Sequence, residues 1–148
     1  MTSTRLRTFV VAWATLCVLE TTGTPGSPAD SYQVIVNPDN NVTSVDRGFL
    51  REAFLKRTTS WDNGDTIRPV DLTSRFPARE AFAHEVLNKT LSQVRSYWNQ
   101  QIFSGKGVPP PELDSEAAVI RYVLSNRGGI GYLPANANPD GAKVLRVR

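Results

Sequence analysis

Tyr32-Gln33-Val34-Ile35-Val36-Asn37-Pro38 is a run of β-branched and aromatic residues stopped by an Asn-Pro pair, which reads as a largely buried strand. The segments that follow alternate in period. Thr43-Ser44-Val45-Asp46 places a hydroxyl three residues before a carboxylate, so the pair can satisfy free backbone donors at a helix start. Val45, Phe49, Leu50 and Phe54 then recur at helical spacing and give one apolar face. After Lys56-Arg57-Thr58-Thr59, Trp61 and the Asn63-Gly64 turn lead into a second short strand, Ile67 to Leu72.

Pro77 suits a first helical position, because its fixed φ matches and its missing N–H would be unpaired there. The helix it opens runs to about Leu87, with Ala78, Phe82 and Val86 aligned. Thr90 caps a third helix striped by Leu91, Val94, Trp98 and Ile102. Pro109-Pro110-Pro111 is a stiff spacer. Asp114 or Ser115 caps a fourth helix with Ala118, Val119, Val123 and Leu124 inward, ended by Gly128-Gly129. Ile130 to Leu133 is a strand, and Ala142 to Val147 is a candidate last one. The pattern predicts an α/β domain with a single helix-flanked sheet, mixed or mostly parallel.

Upstream, Arg5 and Arg7 precede an uncharged, mostly apolar run from Thr8 to Leu19, followed by Glu20 and a stretch rich in Thr, Gly, Pro and Ser. This is the layout of a secretory signal, and the run is shorter than the roughly twenty residues a membrane span needs. The reading is therefore a signal peptide and flexible leader over 1–29 and one domain over 30–148, released into the periplasm or outside the cell. The only cysteine, Cys17, lies in the apolar run, so the exported chain would hold no thiol. Removing Arg5, Arg7 and Glu20 from 17 basic and 14 acidic residues leaves 15 against 13. These charges are interspersed, with no block of Lys or Arg to mark a nucleic-acid surface.

No catalytic constellation stands out, and no cofactor is expected. His84 is the only histidine, and it falls off the Phe82 and Val86 stripe of its helix, the position of a half-exposed structural residue. The acidic residues are scattered, and none pairs at a spacing that demands acid and base roles. Asn41-Val42-Thr43 and Asn88-Lys89-Thr90 match glycosylation acceptors and serve equally well as helix caps.

Two segments are candidates to hold an anion. Thr73, Ser74 and Arg75 stand at the entry to the second helix, with Arg79 one turn inside it. A helix start offers unpaired N–H groups and partial positive charge, which hydroxyl and guanidinium groups would reinforce. The plainer reading is that Thr73 or Ser74 caps the helix while the arginines face water. The second segment is Ser104, Gly105 and Lys106 with Gly107, where glycines around a lysine permit close backbone approach; a simple turn explains it as well.

Taken in order, these segments resemble the phosphate-binding family of type 2 periplasmic solute-binding proteins of ABC importers. The likeness runs from about Tyr32 to Leu133. It rests on Val34 to Pro38, on Leu50-Arg51-Glu52-Ala53-Phe54-Leu55-Lys56 with Trp61, Gly64 and Ile67, and on Pro69-Val70 leading to Phe82. Phe103 to Gly107 and Gly129-Ile130-Gly131-Tyr132 complete it. The resemblance implies the fold of one lobe of such a protein and a non-enzymatic, exported receptor that binds phosphate or a related oxyanion and meets an ABC transporter permease. Family members use an Arg and a Ser-Gly-Thr run at the helix entry; here Asp71 to Ala78 carries Pro77 and no glycine, so Ser74, Arg75 and Arg79 are the substitutes. A lone lobe would hold a small anion only in roughly the millimolar range, unless a homodimer or a docking partner supplies a second wall. The alternative is a ligand-free module that binds a cell-envelope protein.

Overall fold

A computed structural model describes residues 31–148. The signal peptide and leader, with Cys17, lie outside the described residues.

The strand expected first, β1 (Tyr32–Val36), is central in a five-stranded sheet. It pairs antiparallel with β6 (Gly129–Pro134) on one side, where Val34 faces Tyr132, and antiparallel with β7 (Lys143–Val147) on the other, where Val34 faces Leu145. The edges are parallel: β2 (Ser44–Val45) runs along β7, and β3 (Arg68–Pro69) along β6. The sheet is thus mixed, in the order β2-β7-β1-β6-β3. A central strand is covered on both faces, which is why Val34, Ile35 and Val36 run apolar without alternation.

Two groups of helices supply the cover. On one face, α1 (Arg47–Phe54) and α2 (Pro77–Glu85) bring Phe54 and Phe82 onto Tyr132 and Tyr32. On the other, α4 (Glu116–Ser125) packs Val119 and Val123 against Gly131. A Cβ at Gly131 would come within 3.0 Å of side chains of Val70 and Val119, so the helix sits this close only because the residue is glycine. The remaining helix, α3 (Leu91–Phe103), starts at Thr90, whose hydroxyl accepts from the Gln93 amide while the Gln93 side chain accepts from the Thr90 amide. Thr90→Ala removes one half of this reciprocal cap at an exposed position. It is expected to cost about 1 kcal/mol, read as a lower urea midpoint at unchanged slope.

Four expectations are corrected. Thr43 and Asp46 do not act as a capping pair: Ser44 and Val45 between them form β2, and Asp46 alone caps α1 by accepting from the Phe49 amide at 2.7 Å. Neither Thr73 nor Ser74 caps α2: Phe76 is its N-cap, with no side-chain bond, and Pro77 follows in the first helical turn. In α4, Ile120 is buried while Leu124 is 39% exposed, and the helix stops at Asn126 before the glycine pair. Gly128 serves close packing instead, since a Cβ there would lie 1.8 Å from the Thr66 carbonyl oxygen.

The fourth correction shapes the site. The expected strand from Ile67 to Leu72 is two strands. Val70 donates to Ile130, and the chain then leaves the main sheet as β4 (Asp71–Leu72), paired in parallel with β5 (Glu112–Leu113). Asp71 donates to Pro111 and Thr73 to Leu113, so the proline spacer delivers β5 to this short second sheet.

Candidate functional site

A groove of about 220 Å³ lies between the α2 entry and α3, with Glu112 of β5 in its lining. Ser74, Arg79, Pro109 and Glu112 line one wall; Leu91, Val94, Arg95, Trp98, Asn99 and Ile102 of α3 line the other. The α3 stripe that the spacing predicts therefore divides. Val94 and Trp98 are buried, whereas Ile102 is 50% exposed at the groove's end.

Arg79 is the buried charge of the site, 5% exposed. Its Nη1 pairs with Oδ2 of Asp71, itself buried, and its Nη2 reaches Oε1 of the more exposed Glu112 at 3.3 Å. The other carboxylate oxygen of Asp71 accepts from the Tyr132 hydroxyl and from the Leu72 amide at 3.0 Å. A buried charge of this kind is tolerated because it is paired, although Nη1 of Arg79 meets Asp71 as an ion pair and makes no well-formed hydrogen bond. Burial pushes Asp71 up to about 6, against the pull of Arg79. Burial works most strongly against the charge on Arg79, but Asp71, Tyr132 and Glu112 together outweigh it and the guanidinium is held above its ordinary value. Tyr132 is raised well above the usual phenol range by burial and then by Asp71.

These shifts fix a sign. Asp71 holds its proton to higher pH in the folded chain than in the unfolded one, so its contribution to stability declines as pH rises from about 4 through 6. Across that window the wild-type unfolding midpoint should fall relative to that of Asp71→Asn, which has no carboxyl to ionise there. Parallel midpoints for the two proteins would exclude this role.

Of the residues singled out from the sequence, the structure brings Ser74 and Arg79 into the groove. Thr73 lies between them and β4, its hydroxyl oxygen buried. Arg75 is exposed; its guanidinium lies over the Phe76 ring at 5.1 Å and donates to the Asp114 carbonyl. Ser104, Gly105 and Lys106 line no part of the groove. They are exposed, and the Ser104 hydroxyl donates to the Gln100 carbonyl of its own helix at 2.8 Å. Sequence reasoning did not single out Arg95, Asn99 or Glu112. The signal for the first two was present, because Arg95 and Asn99 continue the helical spacing of Leu91 along the stripe. Among the described residues no cluster of His, Cys, Asp and Glu suits a metal ion, and no helix is long and apolar enough to cross a membrane.

A curled mixed sheet with helices on both faces and a groove at its edge defines the architecture of one lobe of a periplasmic-binding-protein fold. Solved structures with this architecture include an ABC-type phosphate transport receptor from Vibrio cholerae (TM-score 0.62, 16% identity). A putative phosphate ABC transporter substrate-binding protein from Clostridium perfringens with bound phosphate (0.62, 18%) and PstS from Borrelia burgdorferi (0.60, 16%) are similar to the same extent. Each match covers 80% of this chain and 46%, 45% and 47% of the respective neighbour. The chain thus spans less than half the length of the proteins it resembles, and its fold is that of a single lobe. No protein-family profile and no curated protein sequence matches it.

Proposed function

We propose that this chain is an exported solute-binding lobe that acts by binding rather than catalysis, with phosphate or a similar oxyanion as its ligand and an ABC importer as its destination. One observation carries the reading: two arginines from different elements, Arg79 of α2 and Arg95 of α3, share one groove with Ser74 and Asn99. Guanidinium groups beside hydroxyl and amide donors are suited to an oxyanion. The solved neighbours named as phosphate receptors support the same ligand class, and the basic, apolar, then Thr- and Pro-rich N-terminus supports export.

The test is thermal unfolding of the full chain against phosphate, sulfate and small carboxylates at constant ionic strength. A ligand confined to the folded state stabilises by about 2 kcal/mol at thirty times its dissociation constant. A saturable rise is expected with the tetrahedral anions and should be lost in Arg95→Ala, which alters an exposed side chain. No rise into the tens of millimolar, or an undiminished rise in the variant, would overturn the assignment.

A second reading has its own observation. Phe103 is 98% exposed at the end of α3, beside Ile102 at 50% and close in sequence to Val108 at 60%. Such a cluster suits a protein partner at the cell envelope. Under this reading Phe103→Asp leaves the unfolding midpoint unchanged and abolishes association with that partner.

A further inference from the structure

Arg79 stands between two carboxylates. Asp71 is buried on its inner side and Glu112 lies toward the groove, so with both ionised the three side chains sum to one negative charge. An anion entering beside Arg79 would add a third negative group around one guanidinium, with only Arg95 across the groove to offset it. Like charges brought together at a partly buried site repel more strongly than in water, which opposes binding. Protonating one carboxylate removes the conflict.

Building on the proposed oxyanion site, we infer that the groove takes its anion together with one proton, the anion between Arg79 and Arg95 and the proton on Asp71. Burial, and after it the negative charge of Glu112, favour Asp71 as the acceptor, against Arg79, the Tyr132 hydroxyl and the Leu72 amide, which favour its ionised form. Arg79 of α2, Tyr132 of β6 and Glu112 of β5 are the charged or titratable groups facing it, and the Leu72 amide donates from its own strand. The core-facing side chains of α4, which also packs on β4, are Val119, Ile120 and Val123. Burial already lifts Asp71 to about 6, so a modest further push from a bound anion carries it through neutral pH. The Tyr132 hydroxyl, donor and acceptor both, is placed to accept from the protonated carboxyl. The coupling is reciprocal: acid favours the anion, and the anion draws a proton from solvent.

Calorimetric titration of the full chain with sulfate tests this, because sulfate keeps its charge across the range used. At pH 5.5 the affinity should exceed that at pH 7.5 by about tenfold, within the limit of tenfold per pH unit that one coupled proton allows. Near pH 6.5, where a carboxyl titrating at about 6 is already partly protonated, heats in buffers of different ionisation enthalpy should report uptake of about two-thirds of a proton per sulfate. Asp71→Asn should bind equally at both pH values, and Glu112→Gln should keep the dependence. Equal wild-type affinity at both pH values, no proton uptake, or loss of the dependence in Glu112→Gln overturns the inference while the oxyanion site stands. Absence of sulfate binding at either pH overturns both. The wild-type proton count decides the matter even if Asp71→Asn fails to fold.

Discussion

Arg79→Ala should destabilise the protein by about 3–5 kcal/mol, a loss typical of removing one partner from a buried ion pair. Its alanine leaves Asp71, 5% exposed, without its cation, so the carboxyl must either stay charged in the core or take up a proton and lose the pair. That cost is a large part of the roughly 5–15 kcal/mol that holds a domain together. The same argument predicts rescue. The double variant Asp71→Asn, Arg79→Met removes both charges, keeps a side-chain carbonyl for the Tyr132 hydroxyl, and should recover most of the loss. Urea denaturation of Asp71→Asn, Arg79→Met and the double variant gives the coupling as a double-mutant cycle. Additive losses would show that the pair is not coupled in solution.

Phe82→Ala should cost a similar amount, about 3–5 kcal/mol, for a different reason. Phe82 is fully buried and stacks on Tyr132 with ring centroids 4.0 Å apart and planes within 5° of parallel. Phe54 lies 4.7 Å away and Tyr32 5.4 Å away, centroid to centroid. Truncation therefore opens a cavity where α1, α2 and the central strands meet. Because Tyr132 also reaches Asp71, the cavity should loosen the buried charge cluster as well, and near-ultraviolet circular dichroism should weaken along with stability. Phe82→Leu, which fills more of the space, should cost much less. An alanine variant within 1 kcal/mol of wild type would contradict the packing described.

What the sequence makes legible follows from how local each signal is. β1 and β6 stand out because a strand covered on both faces is a continuous apolar run, and α3 starts where Thr90 and Gln93 form a cap within four residues. The split of Ile67 to Leu72 is not local. Asp71 leaves the main sheet because Pro111 and Leu113 offer it partners, and no property of the segment announces them. Asn37 is similar. It reads as a strand stop, yet its buried side-chain amide donates to the Val123 and Leu124 carbonyls and closes the end of α4.

The candidate site was legible to the same degree. Arg79 and Ser74 at a helix entry suggested an anion site from residue type and position alone. What surrounds Arg79 was hidden, since Glu112 lies far along the chain and Tyr132 farther still. The Ser104 to Lys106 loop looked equally suitable as a short motif. It lines no part of the groove, where the last residue contributed by α3 is Ile102.

The central claim is that an oxyanion occupies the groove between α2 and α3. Backbone amide chemical shifts of the full chain, followed as sulfate is added at pH 5.5 and constant ionic strength, test it residue by residue. Saturable shifts should centre on Thr73 to Arg79 and on Arg95 and Asn99, with one dissociation constant for all of them. Shifts that never saturate, or that gather around Ile102, Phe103 and Val108 while the α2 entry stays still, would contradict it.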